Sequence, residues 1–180
     1  RLDETEENAR LALILDVVYQ HVDPSFPYHV IYKDTGIESP MTGGDGPFGP
    51  EIDYEKEFAC HYIQTVNHYW LHEFHIDGFR YDEVTDLYDG PVGIKYARIA
   101  YDTYLESLKI PRFTATGKPG DYSRLTHCSQ ALNRPQEVLA TTYTNCTWQD
   151  TLLGQAEGMA RSNKVDENFG LQVILDGNFA

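Results

Sequence analysis

The chain has 180 residues, of which 41% are hydrophobic and 23% are charged. This length and apolar content suit one globular domain with a sizeable core, and no apolar run reaches the roughly 20 residues that a membrane span needs. The formal net charge of −14 repels polyanions, so the composition argues against a nucleic-acid partner and favours a neutral or cationic ligand.

The cysteines and the first residues bear on the compartment. The cysteines are not closely spaced along the sequence: they are Cys60, Cys128 and Cys146. This spacing favours their being small buried hydrophobic residues in a reducing compartment and argues against a disulfide framework. The opening RLDETEENAR lacks an initiator Met and the apolar core of a signal peptide, and its pattern is that of a helix entered midway. We therefore expect a fragment of a cytoplasmic protein.

The first predicted strand is LALILDVVY, an apolar run rich in branched residues, with the length of a strand buried on both faces. We expect this strand to end at Asp16. An irregular segment then extends to about Tyr54, and its stretch MTGGDGPFGP is too rich in Gly and Pro for regular structure. We therefore assign residues 22–54 to a long inserted loop.

Two helices and two further strands follow. Apolar spacings of three and four predict a helix from Glu55, then the strand HIDGFRY, a second helix over 93–109 and the short strand RLTHCS. The apolar stripe of the first helix is predicted to be Phe58, Tyr62, Val66, Tyr69, Trp70 and Phe74. That of the second is predicted to be Ile94, Ala97, Tyr101, Tyr104, Leu105 and Leu108. This alternation predicts right-handed βαβ units with a parallel sheet.

The pattern is weaker beyond Gln130. Pro135 stands where a first helical turn accepts proline, and WQDTLLGQAEGMARSN predicts a helix interrupted by Gly154 and Gly158. The final LQVILDGNFA predicts the start of a further strand.

Polar side chains follow each predicted strand, at 16–21, 80–83 and 129–130. In parallel α/β folds, functional groups gather at the carboxyl ends of the strands, because the loops there converge on one face. Asp82 is the best candidate for a nucleophile, since Arg80 would favour its charged form and orient it. A structural salt bridge at a strand end is the alternative that the residues alone leave open.

Two stretches carry a family resemblance. LILDVVYQH and HIDGFRYDEV resemble the first two signature motifs of the alpha-amylase family of glycoside hydrolases, in the right order and with a loop and helix between them. EVLATTYTNCTWQD is similar to the region after the fifth strand in some bacterial members. The resemblance implies an α/β fold, namely about strands three to five of a (β/α)8 TIM barrel over residues 1–180. It also implies cleavage or transfer of α-glucosidic bonds with retention of configuration.

The resemblance extends to individual residues. Asp82 matches the family nucleophile that forms the glycosyl-enzyme intermediate, and Arg80 matches the arginine that holds it. His21 matches the histidine that contacts the sugar at the cleavage subsite. Asp16 matches the aspartate that supports the site, and Tyr19, in the same motif, is a further substrate-binding candidate.

A retaining glycosidase also needs a proton donor about 5 Å from its nucleophile. The position matching the family's acid/base glutamate is Gln130, whose amide donates a hydrogen bond but has no proton to give the leaving oxygen. We therefore predict that ordinary hydrolysis is severely impaired. Glu137 is a rival acid, but its place just after Pro135 favours a role in the first turn of a helix.

Metal binding has two candidate locations. Gln20 stands where many family members have the asparagine that binds structural calcium, so we expect no cofactor, with a calcium ion on loop oxygens as the alternative. His68, His72 and His75, with Glu73, have spacings that could bring imidazoles onto one helical face, although not in the HExxH order. Solvated helix histidines are the other interpretation, and we assign no metal site.

We therefore predict a retaining hydrolase or transglycosidase acting on α-glucans or maltooligosaccharides, with no nucleic-acid or membrane partner. A non-catalytic carbohydrate-binding or scaffolding homologue is the competing hypothesis, and Gln130 supports it. A metal-binding protein is a third. Loop rings are better candidates for sugar stacking than the helical Tyr62 and Tyr69, which would more often be core. These loop rings are Phe26, Tyr28, Tyr32 and Phe48.

Overall fold

The computed structural model describes residues 12–114, 125–148 and 150–165. The helix expected over 1–10 and the strand expected within 171–180 lie outside these ranges, as does much of the predicted loop after Pro111. Along the chain the elements are β1 (Ile14–Val18), α1 (Pro27–Thr35), β2 (Thr42–Gly46), β3 (Gly49–Ile52), α2 (Glu57–Glu73), β4 (Gly78–Asp82), α3 (Val84–Leu87), α4 (Tyr96–Ser107), α5 (Pro111–Thr114), β5 (Thr126–Gln130), α6 (Pro135–Thr141), β6 (Cys146–Trp148) and α7 (Asp150–Ser162).

A four-stranded sheet in the order β1-β4-β5-β6 forms the centre of the structure, and every pairing in it is parallel. Helices connect successive strands, as the alternating pattern predicted. The α/β class is therefore confirmed. The sheet is open over the described residues, so it corresponds to part of a TIM barrel and does not itself close into one.

The two faces of this sheet differ because successive side chains of a strand point to opposite sides. One face packs against the helices and contains the aromatic residues Phe79 and Tyr81 of β4, both fully buried. The other face carries the polar residues Arg80 and Asp82 from the same strand. Strand β4 thus contributes to the core on one side and to a polar surface on the other.

Strand β1 differs from its prediction in two respects. It continues past Asp16 to Val18, and within the described residues it lies at the edge of the sheet, paired with β4 alone. The prediction of burial on both faces is wrong for these residues, since Ile14 is 45% and Val18 40% exposed.

The segment predicted to be an irregular loop contains helix α1 and an antiparallel hairpin of β2 and β3. The Gly-rich stretch was misinterpreted because its glycines serve the hairpin. Pro47 and Phe48 form a two-residue turn closed by Gly46 and Gly49, and Gly49 has φ +140°, a conformation that favours glycine. That residues 22–54 are an insertion stays a prediction.

Helices α2 and α4 lie close to their predicted bounds, but each buries a different stripe. Helix α2 buries Ala59, Ile63, Asn67 and Leu71, whereas Tyr69 is 54% and Phe74 53% exposed. Helix α4 likewise exposes Tyr101 and Leu105, while Tyr96, Ile99 and Thr103 are buried. The predicted stripes are correct only in part, since Ala97 is buried and Tyr62 and Trp70 are partly buried against the core. Where α2 meets α4, a hydrogen bond of 2.9 Å joins Asn67 to Thr103, which an apolar pattern does not indicate.

The last elements also depart in part from prediction. Pro135 begins α6, as predicted, and Glu137 lies in the first turn of this helix. Helix α7 runs without interruption through Gly154 and Gly158, and the short strand β6 was not predicted. No helix within the described ranges is both long enough and apolar enough to cross a membrane.

Candidate active site

Arg80 brings together three residues from the three strands β1, β4 and β5. Its Nη1 atom lies 2.9 Å from Oδ1 of Asp16 and 3.2 Å from Oδ1 of Asp82. Its Nη2 atom donates a hydrogen bond of 2.5 Å to Oε1 of Gln130. One guanidinium thus contacts two carboxylates and an amide, because its planar fork presents several N–H donors at once.

The strand register explains this convergence. Asp16 is paired directly with Arg80, and Val18 is paired with Asp82. Because side chains two apart on a strand share a face, Arg80 and Asp82 point to the same side, and Gln130 on β5 joins them there. These residues therefore form one polar cluster on this face, with Asp82 and Gln130 at the carboxyl ends of β4 and β5. We call it the Arg80 cluster: Asp16, Arg80, Asp82 and Gln130.

The guanidinium is largely shielded from water. The Arg80 side chain is 13% exposed, compared with 34% for Asp82 and 67% for Asp16. The indole ring of Trp148 covers Arg80, with the guanidinium carbon 4.3 Å from the ring centroid, a cation–π contact. Within the described residues, the buried Nε of Arg80 makes no hydrogen bond. The contacts that hold Arg80 are thus the two carboxylates, the amide and the indole.

The backbone changes direction sharply directly after Asp82. Glu83 follows the strand with φ 55° and ψ 37°, and its N–H donates a hydrogen bond of 2.9 Å to Oδ1 of Asp82. Burial, followed by the charge of Asp86, raises the pKa of the Glu83 carboxyl, and Asp82 adds to this effect. The region around Asp82 is therefore rich in carboxylates, with Arg80 as the counter-charge in direct contact.

The orientation of Gln130 follows from its contact with Arg80. A guanidinium has only donors, so the amide oxygen faces Arg80 and the two amide N–H donors lie at the other end of the group. Gln130 can thus donate a hydrogen bond to a ligand but has no ionisable proton.

His21 lies beyond the end of β1 and is held by the hairpin. Its Nδ1 is 2.7 Å from Oε1 of Gln20, whose Nε2 donates a hydrogen bond of 3.0 Å to Glu51 on β3. The ring of Phe48 stacks on His21 with centroids 5.5 Å apart. Since an amide oxygen only accepts, Nδ1 carries the proton, and Nε2 is the atom left to meet a ligand.

Tyr19 lies on the core side of the sheet and does not join the Arg80 cluster. Its ring is buried, and its hydroxyl donates a hydrogen bond of 2.6 Å to Oδ1 of Asn67 on α2. Burial, with a smaller effect of Tyr62, raises the pKa of Tyr19 well above its usual range. The contacts that the structure gives Tyr19 are thus those of a core residue.

The rival acid Glu137 and the loop rings lie outside the Arg80 cluster. Glu137 belongs to α6, where its carbonyl accepts a hydrogen bond from the hydroxyl of Thr141. Among the loop rings, Phe26 and Tyr28 pack against the helical Tyr62, whereas Phe48 is 59% exposed beside His21. Phe48 is therefore the loop ring that lies beside a predicted substrate-binding residue.

The histidine cluster forms around a different acid than the sequence suggested. His68 and His72 lie 3.8 Å and 2.9 Å from Glu106 of α4, which also contacts Lys109. His75 follows α2 in a left-handed conformation. Across residues 12–114, 125–148 and 150–165, no three His, Cys, Asp or Glu side chains are placed to hold a metal ion. The calcium alternative and the expected lack of a cofactor stay predictions.

Sequence reasoning missed two features of this site. Trp148 belongs to β6, which at three residues is too short for a periodic signal. The chain of hydrogen bonds from His21 through Gln20 to Glu51 depends on the hairpin, whereas the glycine and proline pattern predicts an irregular loop there. The alternation of Cys146 and Trp148 after a turn was the available signal for the strand.

Known proteins share both sequence and fold with this chain, although no family model matches it. The malto-oligosyltrehalose trehalohydrolase of Saccharolobus solfataricus is 37% identical over 83 residues, covering 44% of this chain and 14% of that protein. The pullulanase of Bacillus subtilis is 35% identical over 81 residues, covering 40% of this chain and 11% of that protein. The matched region is thus a small part of either relative.

A solved cyclomaltodextrinase structure aligns with 93% of this chain and 30% of its own, with a TM-score of 0.57 and 15% identity, which supports the fold alone. The two sequence relatives and the shared fold thus support the resemblance of this chain to the alpha-amylase family of glycoside hydrolases.

Proposed function

We propose that this chain supplies the nucleophile side of a retaining glycosidase or transglycosidase site that acts on α-glucosidic bonds of α-glucans or maltooligosaccharides. The observation that carries the proposal is the contact of Arg80 with Asp82, Asp16 and Gln130 on one face of three neighbouring strands. The names of the trehalohydrolase and pullulanase relatives support a glucan or glucan-derived substrate.

In this mechanism, the Asp82 carboxylate attacks the anomeric carbon and forms a covalent glycosyl ester. Arg80 fixes the direction of the Asp82 carboxylate through a contact of 3.2 Å, and Trp148 covers the guanidinium of Arg80. His21 is positioned to contact the sugar through Nε2, because its Nδ1 is hydrogen-bonded to the side-chain oxygen of Gln20.

Gln130 limits the reaction. It occupies the place of the acid/base group, and its amide can only donate a hydrogen bond to the leaving oxygen. Poor leaving groups, which need a proton, should therefore react slowly, and water should not be activated to release the glycosyl ester. A good leaving group should allow the first step alone.

The test is intact-mass spectrometry after incubation with α-glucosyl fluoride, since fluoride leaves without a proton donor. We expect a single hexosyl adduct that maps to Asp82. Asp82→Asn should abolish the adduct, whereas Asp102→Asn, which alters a carboxylate paired with Arg98 on α4, should leave it unchanged. A folded chain that forms no adduct would overturn the proposal.

Gln130→Glu gives the complementary test. Restoring a carboxyl group at the acid/base position should let water release the glycosyl ester, so fluoride release should continue over many turnovers. We expect a rate increase of about 10²- to 10⁴-fold, the usual contribution of a general acid or base. A variant that still stops at one adduct would show that position 130 is not the acid/base position.

A further inference from the structure

Cys128 and Cys146 are direct neighbours on adjacent strands. They are paired in the register of β5 and β6, and Cys128 is paired in turn with Arg80 of β4. Neighbouring strands lie about 4.8 Å apart, within the range of about 4.4 to 6.8 Å between Cα atoms that a disulfide spans. Paired residues of a sheet point to the same face, so the two thiols meet on the face that carries the Arg80 cluster.

The two thiols have unequal surroundings. A hydrogen bond between them raises the pKa of Cys128 and lowers the pKa of Cys146. Cys128 is buried and Cys146 is partly exposed, so a reagent in solution reaches Cys146 more readily. Cys146 thus has the properties of an attacking thiol, and Cys128 those of a resolving thiol.

We propose that Cys128 and Cys146 are a site of reversible disulfide modification by peroxides. The Cys146 sulfur attacks one peroxide oxygen, the O–O bond breaks, and the departing oxygen takes the thiol proton and leaves as water or an alcohol. The sulfenic acid at Cys146 is then attacked by the Cys128 sulfur. The S–S bond forms as the S–O bond breaks, and hydroxide leaves with the Cys128 proton as water. Two thiols are oxidised by two electrons, and one peroxide is reduced.

Cys60 provides a control within the same chain. It lies on α2, its thiol donates to the carbonyl of Tyr54 at 3.1 Å, and burial raises its pKa. It is bonded to a backbone oxygen and not to a second thiol, so it should stay reduced when the pair is oxidised.

The experiment treats the folded chain with a stoichiometric amount of hydrogen peroxide, followed by alkylation of the remaining thiols in denaturant. We expect a mass lower by about 2 Da before alkylation, one alkylated cysteine at position 60, and reversal by dithiothreitol. Cleavage after Glu137, which separates Cys128 from Cys146, should yield the cross-linked pair of peptides. Cys60→Ser should give the same disulfide.

Two further variants test the order of the steps. Cys128→Ser should trap a sulfenic acid at Cys146 that dimedone labels, whereas Cys146→Ser should leave Cys128 unlabelled. Three alkylated cysteines after peroxide treatment of a folded chain, a cross-link that includes Cys60, or equal labelling of the two variants would each overturn the proposal. None of these readouts depends on glycosidase activity.

Discussion

Arg80 is the residue on which the site geometry depends, because it contacts three side chains and the Trp148 ring at once. A lysine keeps the charge but has no planar fork, so it cannot hold Asp16, Asp82 and Gln130 together or stack on the indole in the same way.

We predict that Arg80→Lys slows formation of the glucosyl adduct on the order of 100-fold, since small misplacements of a reacting group cost about that much. Stopped incubations with α-glucosyl fluoride, analysed by intact mass, measure the rate. Arg98→Lys is the matched control, because Arg98 is half-exposed and pairs with Asp102 on the same helix. Equal rates for the two variants would contradict the role assigned to Arg80.

His127 is a buried histidine that affects how stability depends on pH. Its ring is buried between β5 and the helices, parallel to the ring of Tyr81 at 5.6 Å, and within the described residues neither ring nitrogen has a hydrogen-bond partner. Burial alone lowers the pKa of His127 to about 3.

This lowered pKa predicts an acid-sensitive fold. In the unfolded chain a histidine titrates near 6.5, so between that value and about 3 the unfolded chain binds the proton and the folded chain does not. Stability is complete above that window and is lost as the pH falls through it, by about 2 kcal/mol between pH 7 and pH 5. Between pH 7 and pH 5, the free energy of unfolding in urea should fall by correspondingly less for His127→Phe than for the unchanged chain. His61→Phe, at an exposed site on α2, should keep the original slope of this free energy against pH. An unchanged slope in His127→Phe would contradict this assignment.

At the scale of elements, the packing of α2 against α4 depends on a buried polar group. Asn67 is fully buried, accepts a hydrogen bond from the Tyr19 hydroxyl and donates one to Thr103. Hydrophobic periodicity could not find this face, because it selects the large rings that the structure exposes and ignores an asparagine.

We predict that Asn67→Ala destabilises the chain by roughly 1 to 3 kcal/mol, since it leaves the Tyr19 and Thr103 hydroxyls without their buried partner. Gln64→Ala, one turn earlier on the same helix and only partly buried, should stay within about 0.5 kcal/mol. Urea unfolding of the two variants and of the unchanged chain measures both losses of free energy. Equal losses would show that the Asn67 hydrogen bonds add nothing beyond side-chain volume.

The hairpin of β2 and β3 shows a different limit of the sequence. Its glycines indicated turns, but a pattern of glycine and proline does not show that the residues on either side of a turn pair as two antiparallel strands. The pairing of His21 with Glu51 ties this hairpin to the end of β1, so the hairpin supports a predicted substrate-binding residue.

At the scale of the molecule, the parallel sheet was predictable because branched apolar runs alternate with helical patterns along the chain. The sequence grouped Asp16, Arg80, Asp82 and Gln130 by placing them at strand ends, whereas the structure brings them together because Asp16 is paired with Arg80 and side chains two apart share one face. The roles of these residues stay predictions. The contact of Trp148 with Arg80 could not be foreseen, because it depends on where a three-residue strand joins the sheet.

The alternation along β4 also limits how this strand can change in length. Phe79 and Tyr81 fill the core, while Arg80 and Asp82 face the polar cluster. Deleting or inserting one residue within the strand would exchange the two sets, turning charged groups into the apolar interior and aromatic rings toward the site. Point substitutions can therefore alter one face and leave the other intact, but a change in length is tolerable only in steps of two residues.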